Sequence, residues 1–209
     1  YRSVEHQIGD ADKLLVGINL AYMPFKNFMF YSQFILNEFR LNDLRDANGS
    51  VYNKYGYQLG VNYVDVAGLS NLDFGIEFNR VRPYTYTHYN VGSSYPVNSY
   101  SHFNQHLAHP LGANFQEFIV SLKYQVTPRL FFDFFSIIAM YGADSLNSNW
   151  GQNIFLDYTT FEREYNNKVG QGVKTDLLII SVVASYHLYH NLFIDFDVRY
   201  RMLESEINS

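Results

Sequence analysis

The residues whose types and spacing could do chemistry lie in "YSHFNQHLAHPLGANFQEF", residues 100–118, where His102, His106 and His109 follow His88. Spacings of four and then three would set imidazoles on one side of a short helix, and imidazole is a natural ligand for borderline metals. The spacing nevertheless completes no metal signature, Pro110 ends any such helix, and no glutamate stands as in "HExxH". No metal and no cofactor is therefore implied, and the histidines are expected to be restrained, hydrogen-bonded loop residues. Serine hydrolysis would need a serine, a histidine and an orienting polar group. Ser99, Ser101, His102 and Asn104 supply the types, but sequence neighbours need not point at one another, and no "GxSxG" elbow occurs. No catalytic residue is assigned, and the chain reads as a non-enzyme.

The same stretch is rich in conformational punctuation. Pro110 restrains the residue before it, Gly112 is permissive, and Asn114 tolerates unusual backbone angles immediately before an apolar segment. Upstream, Tyr84, Tyr86, Tyr89, Tyr100, His102 and Asn104 supply rings and amides that could stack on sugars or hydrogen-bond to hydroxyls. They are the candidate ligand-binding residues. The alternative for the same groups is that they pack loop 83–114 on itself.

Around these residues the sequence contains eight strand-like segments: 13–23, 28–39, 55–66, 72–82, 115–126, 130–141, 173–189 and 192–203. Short breaks at 24–27, 67–71, 127–129 and 190–191 alternate with long ones at 40–54, 83–114 and 142–172. Several segments alternate with period two: Phe74, Ile76 and Phe78 oppose Asp73, Gly75 and Glu77, and Phe196, Val198 and Tyr200 oppose Asp195, Asp197, Arg199 and Arg201. Segments 130–141 and 177–184 are apolar at both parities. Aromatic residues make up 18% of the 209 residues, with 19 tyrosines and 18 phenylalanines. There is no cysteine, so thiolate and disulfide chemistry is excluded, and a net charge of -5 without a basic tract argues against nucleic acid.

Long strands, alternating short and long connections and aromatics near strand ends together predict an all-β, antiparallel transmembrane barrel segment of about eight strands, treated as one unit over 1–209. The apolar rows would meet outer-membrane lipid. Glu77, Asp195, Asp197, Arg199 and Arg201 would line the lumen, since a charge in hydrocarbon is costly. A soluble β-sandwich with one apolar face per strand is the competing reading.

Arg82-Pro83-Tyr84-Thr85-Tyr86-Thr87-His88 followed by "LAHPLGANFQE", 107–117, resembles a family of Bacteroidetes outer-membrane proteins, the capsule-assembly Wzi-like and gliding-motility RemB-like proteins. The match covers about a fifth of the chain and departs at Thr87 and Gln116. The resemblance implies a larger barrel of which this chain is a piece, in keeping with its abrupt ends. It implies a role in capsule or exopolysaccharide attachment or in gliding and secretion machinery, with a surface polysaccharide or machinery proteins as partners. A porin-like channel and a rim hydrolase are the alternatives.

Overall fold

In a computed structural model describing residues 14–89 and 99–206, the described residues form ten strands in chain order, eight of them at the strand-like segments. Eight form one antiparallel sheet in the order β1 (Val16–Phe25), β2 (Phe28–Glu38), β3 (Lys54–Tyr63), β4 (Leu72–Val81), β7 (Phe115–Thr127), β8 (Leu130–Ala143), β9 (Val173–Tyr189) and β10 (Leu192–Ser205). The other two, β5 (Ser101–His102) and β6 (Gln105–His106), form a small hairpin inside the long connection between β4 and β7. A short α-helix, α1 (Leu41–Arg45), follows β2.

The sheet is open. β1 and β10 are its two edges, so the expected transmembrane barrel segment is not what the chain forms. Alternation along a strand reports one buried or greasy face, which any antiparallel sheet shares. Closure requires in addition that the first strand find the last with a consistent stagger, and no local pattern encodes that. Among the described residues no helix is long and apolar enough to cross a membrane.

The turns that join neighbouring strands are built from residues suited to them. Asn191 takes a left-handed φ of 60° between β9 and β10, and the Thr127 hydroxyl accepts the backbone N–H groups of Arg129 and Leu130 between β7 and β8. Tight turns fix register, and register aligns side chains across strands. Asn19, Gln33, Gln58, Asn79 and Glu117 are successive partners from β1 to β7, forming a polar row on one face. On the opposite face Leu59, Phe78, Phe118, Ile138 and Leu178 are successive partners from β3 to β9. This second face is not covered by any described element: Leu59 is 42% exposed, Phe118 46%, Ile138 55% and Phe196 67%.

The long connections gather at one end and bury the chain's core there, not between two layers. Val81, Tyr86, Ala113, Phe115 and Ile154 form the buried apolar cluster. Backbone bonds knit the connections together: Val51 N–H donates to Glu164 O at 2.8 Å, Asn166 N–H to Asn48 O at 2.8 Å, Tyr84 N–H to Gly151 O at 2.9 Å and Ala113 N–H to Gln152 O at 3.1 Å. Asn114 is the hub. Fully buried at φ 58°, it donates from Nδ2 to the carbonyls of Gly142 and Gln171, both at 2.8 Å, and accepts Gly170 N–H at Oδ1, also at 2.8 Å.

Candidate binding cleft

The polar row on the sheet and the inserted connection between β4 and β7 face one another across a cleft of about 310 Å³. Gln33, Gln58, Glu77, Asn79 and Glu117 form its floor, and Tyr86, Tyr100, Leu107 and His109 form its roof. Tyr100 is held in place by backbone bonds, its N–H donating to Tyr86 O at 3.0 Å while its carbonyl accepts Leu107 N–H at 3.2 Å. The two tyrosine rings stack with centroids 5.8 Å apart. Gly60 is needed beneath, because a Cβ there would fall 2.1 Å from the Tyr31 ring.

Across the floor runs an unbroken hydrogen-bonded line. Tyr31 Oη donates to Glu77 Oε2 at 2.6 Å; Asn79 Nδ2 donates to Glu77 Oε1 at 2.7 Å and to Glu117 Oε1 at 2.8 Å; and His109 Nε2 meets the same Glu117 oxygen at 2.7 Å. Leu111 N–H donates to His109 Nδ1 at 3.2 Å, so the ring's proton sits on Nε2 and points at the carboxylate. Burial alone would raise the Glu117 pKa, but the hydrogen bonds from His109 and the Asn79 amide outweigh it and hold the carboxyl below its ordinary value. Burial and the Glu77 contact push the Tyr31 phenol the other way, well above the usual phenol range, so it stays a donor. Burial likewise pushes Tyr86 up to about 12.

What remains for a ligand is the unused capacity of this floor. Among the described residues Gln58 makes no side-chain hydrogen bond and Asn79 Oδ1 has no donor, while Gln33 spends one N–H on Asn19 at 2.7 Å and keeps its carbonyl. Amide donors and acceptors beside an aromatic wall suit hydroxyl groups and the apolar faces of a sugar ring.

The sequence-derived candidates scatter. Tyr86, Tyr100 and Glu77 do line the cleft. Tyr84 is fully buried at φ 64°, its hydroxyl donating to Asn149 O at 2.6 Å, so it holds the cap together and is not accessible for recognition. Tyr89 stacks on His88 at 4.4 Å, and His102 and Asn104 are exposed at the tip of the β5–β6 hairpin. Residues 90–98 of loop 83–114 lie outside the described residues. Asp195, Asp197, Arg199 and Arg201 sit on edge strand β10, where Arg199 pairs with Asp197 at 2.9 Å; an open sheet encloses no lumen for them to line.

The histidines do not sit on a helix. His102 and His106 stand on the two arms of the hairpin; His106 Nδ1 lies 3.2 Å from the carbonyls of His109 and Pro110, and His109 turns to Glu117. Among the described residues no three histidine or carboxylate side chains come together as a metal site. The residues missed from sequence are Tyr31, Gln33, Gln58, Asn79 and Glu117. The pairing register sets the last four in one row, with Tyr31 in the neighbouring row beside Gly60 and Glu77, and no local pattern encodes that register.

Comparison with protein-family models, with curated proteins and with solved structures finds no match. The resemblance to the Wzi-like and RemB-like proteins is thereby corrected: no family model answers to it, and the closed barrel it implies is replaced by an open sheet. The capsule, gliding and secretion roles, the channel and rim-hydrolase alternatives and the outer-membrane location all rested on that barrel, and they fall with it.

Proposed function

We propose that the chain is a non-catalytic binding module whose cleft takes a neutral, hydroxyl-rich ligand, a saccharide being the class it suits. The observation that carries this reading is the floor itself: a preorganised row of amides and carboxylates, satisfied along its length yet with Gln58 and Asn79 Oδ1 uncommitted, beneath the stacked Tyr86 and Tyr100. A rigid floor with a few open positions binds without having to order side chains first. Support for binding over catalysis comes from the same bonds. Glu117 accepts from both Asn79 Nδ2 and His109 Nε2, and Nδ1 of His109 is taken by the Leu111 N–H, so both groups are already engaged within the protein.

The test is an NMR titration of the 209-residue protein with neutral oligosaccharides, following the side-chain amides of Gln33, Gln58 and Asn79. The expected result is saturable shifts of those amides in the micromolar to millimolar range. Replacing Gln58 or Tyr100 with alanine should weaken binding about tenfold each, the loss of one hydrogen bond or one stacking face. Saccharides that leave these amides unmoved at millimolar concentration sink the proposal, and the connection is then a self-packed lid.

A further inference from the structure

A second concavity, of about 500 Å³, opens at the capped end of the sheet on the side away from the cleft. Its walls include Tyr55, Arg80, Arg82, Asn166 and Lys168, with Asp43 from α1. Three cations meeting in one pocket stand out in a chain of net charge -5. Among the described residues Arg80 and Lys168 have no ion-pair partner within 4.0 Å, although carboxylates outnumber cations overall. Arg82 is oriented by donating Nε–H to Asn53 O at 2.9 Å and Nη2 to Ser50 O at 3.3 Å, which leaves further guanidinium N–H groups. The wall holds one carboxylate, Asp43, whose Oδ1 accepts Asn48 Nδ2 at 2.9 Å and whose buried Oδ2 has no hydrogen-bond partner among the described residues, so the cations outnumber it three to one. The pocket therefore presents positive charge, in a fork suited to an oxyanion.

Its position adds a second requirement. Register places Arg80 beside Tyr57 and Gln116 in the pairing row next to that of Leu59, Phe78 and Phe118. The basic pocket thus sits at the margin where the uncovered apolar face turns polar. A ligand meeting both would carry an anionic head and an apolar body.

We propose that this pocket holds the phosphate head of an amphiphile whose apolar part lies against the adjoining face of β2, β3 and β4. The site is separate from the cleft and does not depend on what the cleft binds. Charge complementarity identifies the head, and the neighbouring apolar row identifies the body.

The experiment is flotation of the 209-residue protein with vesicles of phosphatidylcholine alone and of phosphatidylcholine with a minor fraction of phosphatidic acid. Three proteins are compared: the parent, the double variant Arg80→Gln and Lys168→Gln, and a control of equal charge change, Lys26→Gln and Lys123→Gln. Arg82 is left in place because it holds Ser50 and Asn53. Circular dichroism checks that each variant keeps its sheet. The expected result is binding that depends on phosphatidic acid and weakens about a hundredfold in the double variant, about tenfold per charge-assisted contact, but changes little in the control.

Equal losses in both variants would mean diffuse charge attraction, and binding to phosphatidylcholine alone that ignores Arg80 and Lys168 would mean that the pocket is idle; either overturns the proposal. So does inorganic phosphate that binds the pocket as tightly as phosphatidic acid, since the apolar body then contributes nothing. A stable dimer by light scattering with no vesicle binding also overturns it, the apolar face then being covered by a second copy.

Discussion

Replacing Asn114 with alanine should destabilise the protein by about 4 kcal/mol. The side chain makes three hydrogen bonds of 2.8 Å, to Gly142 O, Gln171 O and Gly170 N–H, at a site with no solvent exposure. Deleting it leaves two carbonyls and an amide buried and unpaired, at about 1 kcal/mol each. Alanine at φ 58° adds about 1 kcal/mol of backbone strain that asparagine tolerates better. Glycine in the same place loses the hydrogen bonds but not the conformation, so Asn114→Gly should retain about 1 kcal/mol more stability than Asn114→Ala. Urea unfolding followed by fluorescence is well placed to read this, because the single tryptophan, Trp150, offers its carbonyl to Asn114 Nδ2 at 3.4 Å. An alanine variant within about 0.5 kcal/mol of the parent would refute the hub, since that is the range of a surface change. Equal stability of the alanine and glycine variants would refute the strain component alone.

Other expectations follow the same logic. Because the Glu117 pKa is lowered in the folded protein, its stabilisation is complete above the ordinary carboxyl value of 4.5 and is lost as pH falls through the lower folded value; Glu117→Gln should flatten the acid limb of a melting-temperature profile. Tyr84→Phe, which removes the bond to Asn149 O, should cost about 1 kcal/mol and leave saccharide affinity unchanged, as calorimetry on the variant would read. Gly60→Ala should cost about 2 kcal/mol in urea unfolding by driving the Tyr31 ring off Glu77. Lys54→Met should also destabilise, by about 2 kcal/mol on the same assay, because Lys54 is 1% exposed, pairs with Glu38 at 3.0 Å and lies 3.3 Å from the Tyr158 ring centroid.

The strands were legible because two local signals agree on them. Alternation such as Phe74, Ile76, Phe78 against Asp73, Gly75, Glu77 marks a pleated segment, and Asn191 and Thr127 mark the turns between. The apolar strands β8 and β9 carry apolar residues at both parities, and their pairing sets Phe131, Phe135 and Ile137 on one face with Leu177 and Ile179, so both sides of that half are greasy. What alternation does not specify is the relation between distant parts. Whether β1 meets β10 depends on the accumulated twist and stagger of the whole sheet. Tyrosine in a loop is amphipathic, so the sequence leaves the run 82–88 open between recognition and self-packing; Tyr84 and Tyr86 take left-handed backbone at φ 64° and 73°, Tyr84 packing wholly inside the cap and Tyr86 lining the cleft. Their partners, Asn149 and Ile154, lie some seventy residues on, in a connection with no period to read.

The bond from Asn167 Nδ2 to Gly49 O closes a span of 118 residues, and beside it Asn166 N–H reaches Asn48 O. Nearly every other pairing in the sheet joins strands consecutive in sequence, so hairpins can zip in any order at small entropic cost. This staple cannot: its two halves are brought within reach only after four strand pairings from β3 to β9 have formed. It is therefore a late event in folding, absent from the rate-limiting barrier, and strengthening it should slow unfolding while leaving the folding rate where it was.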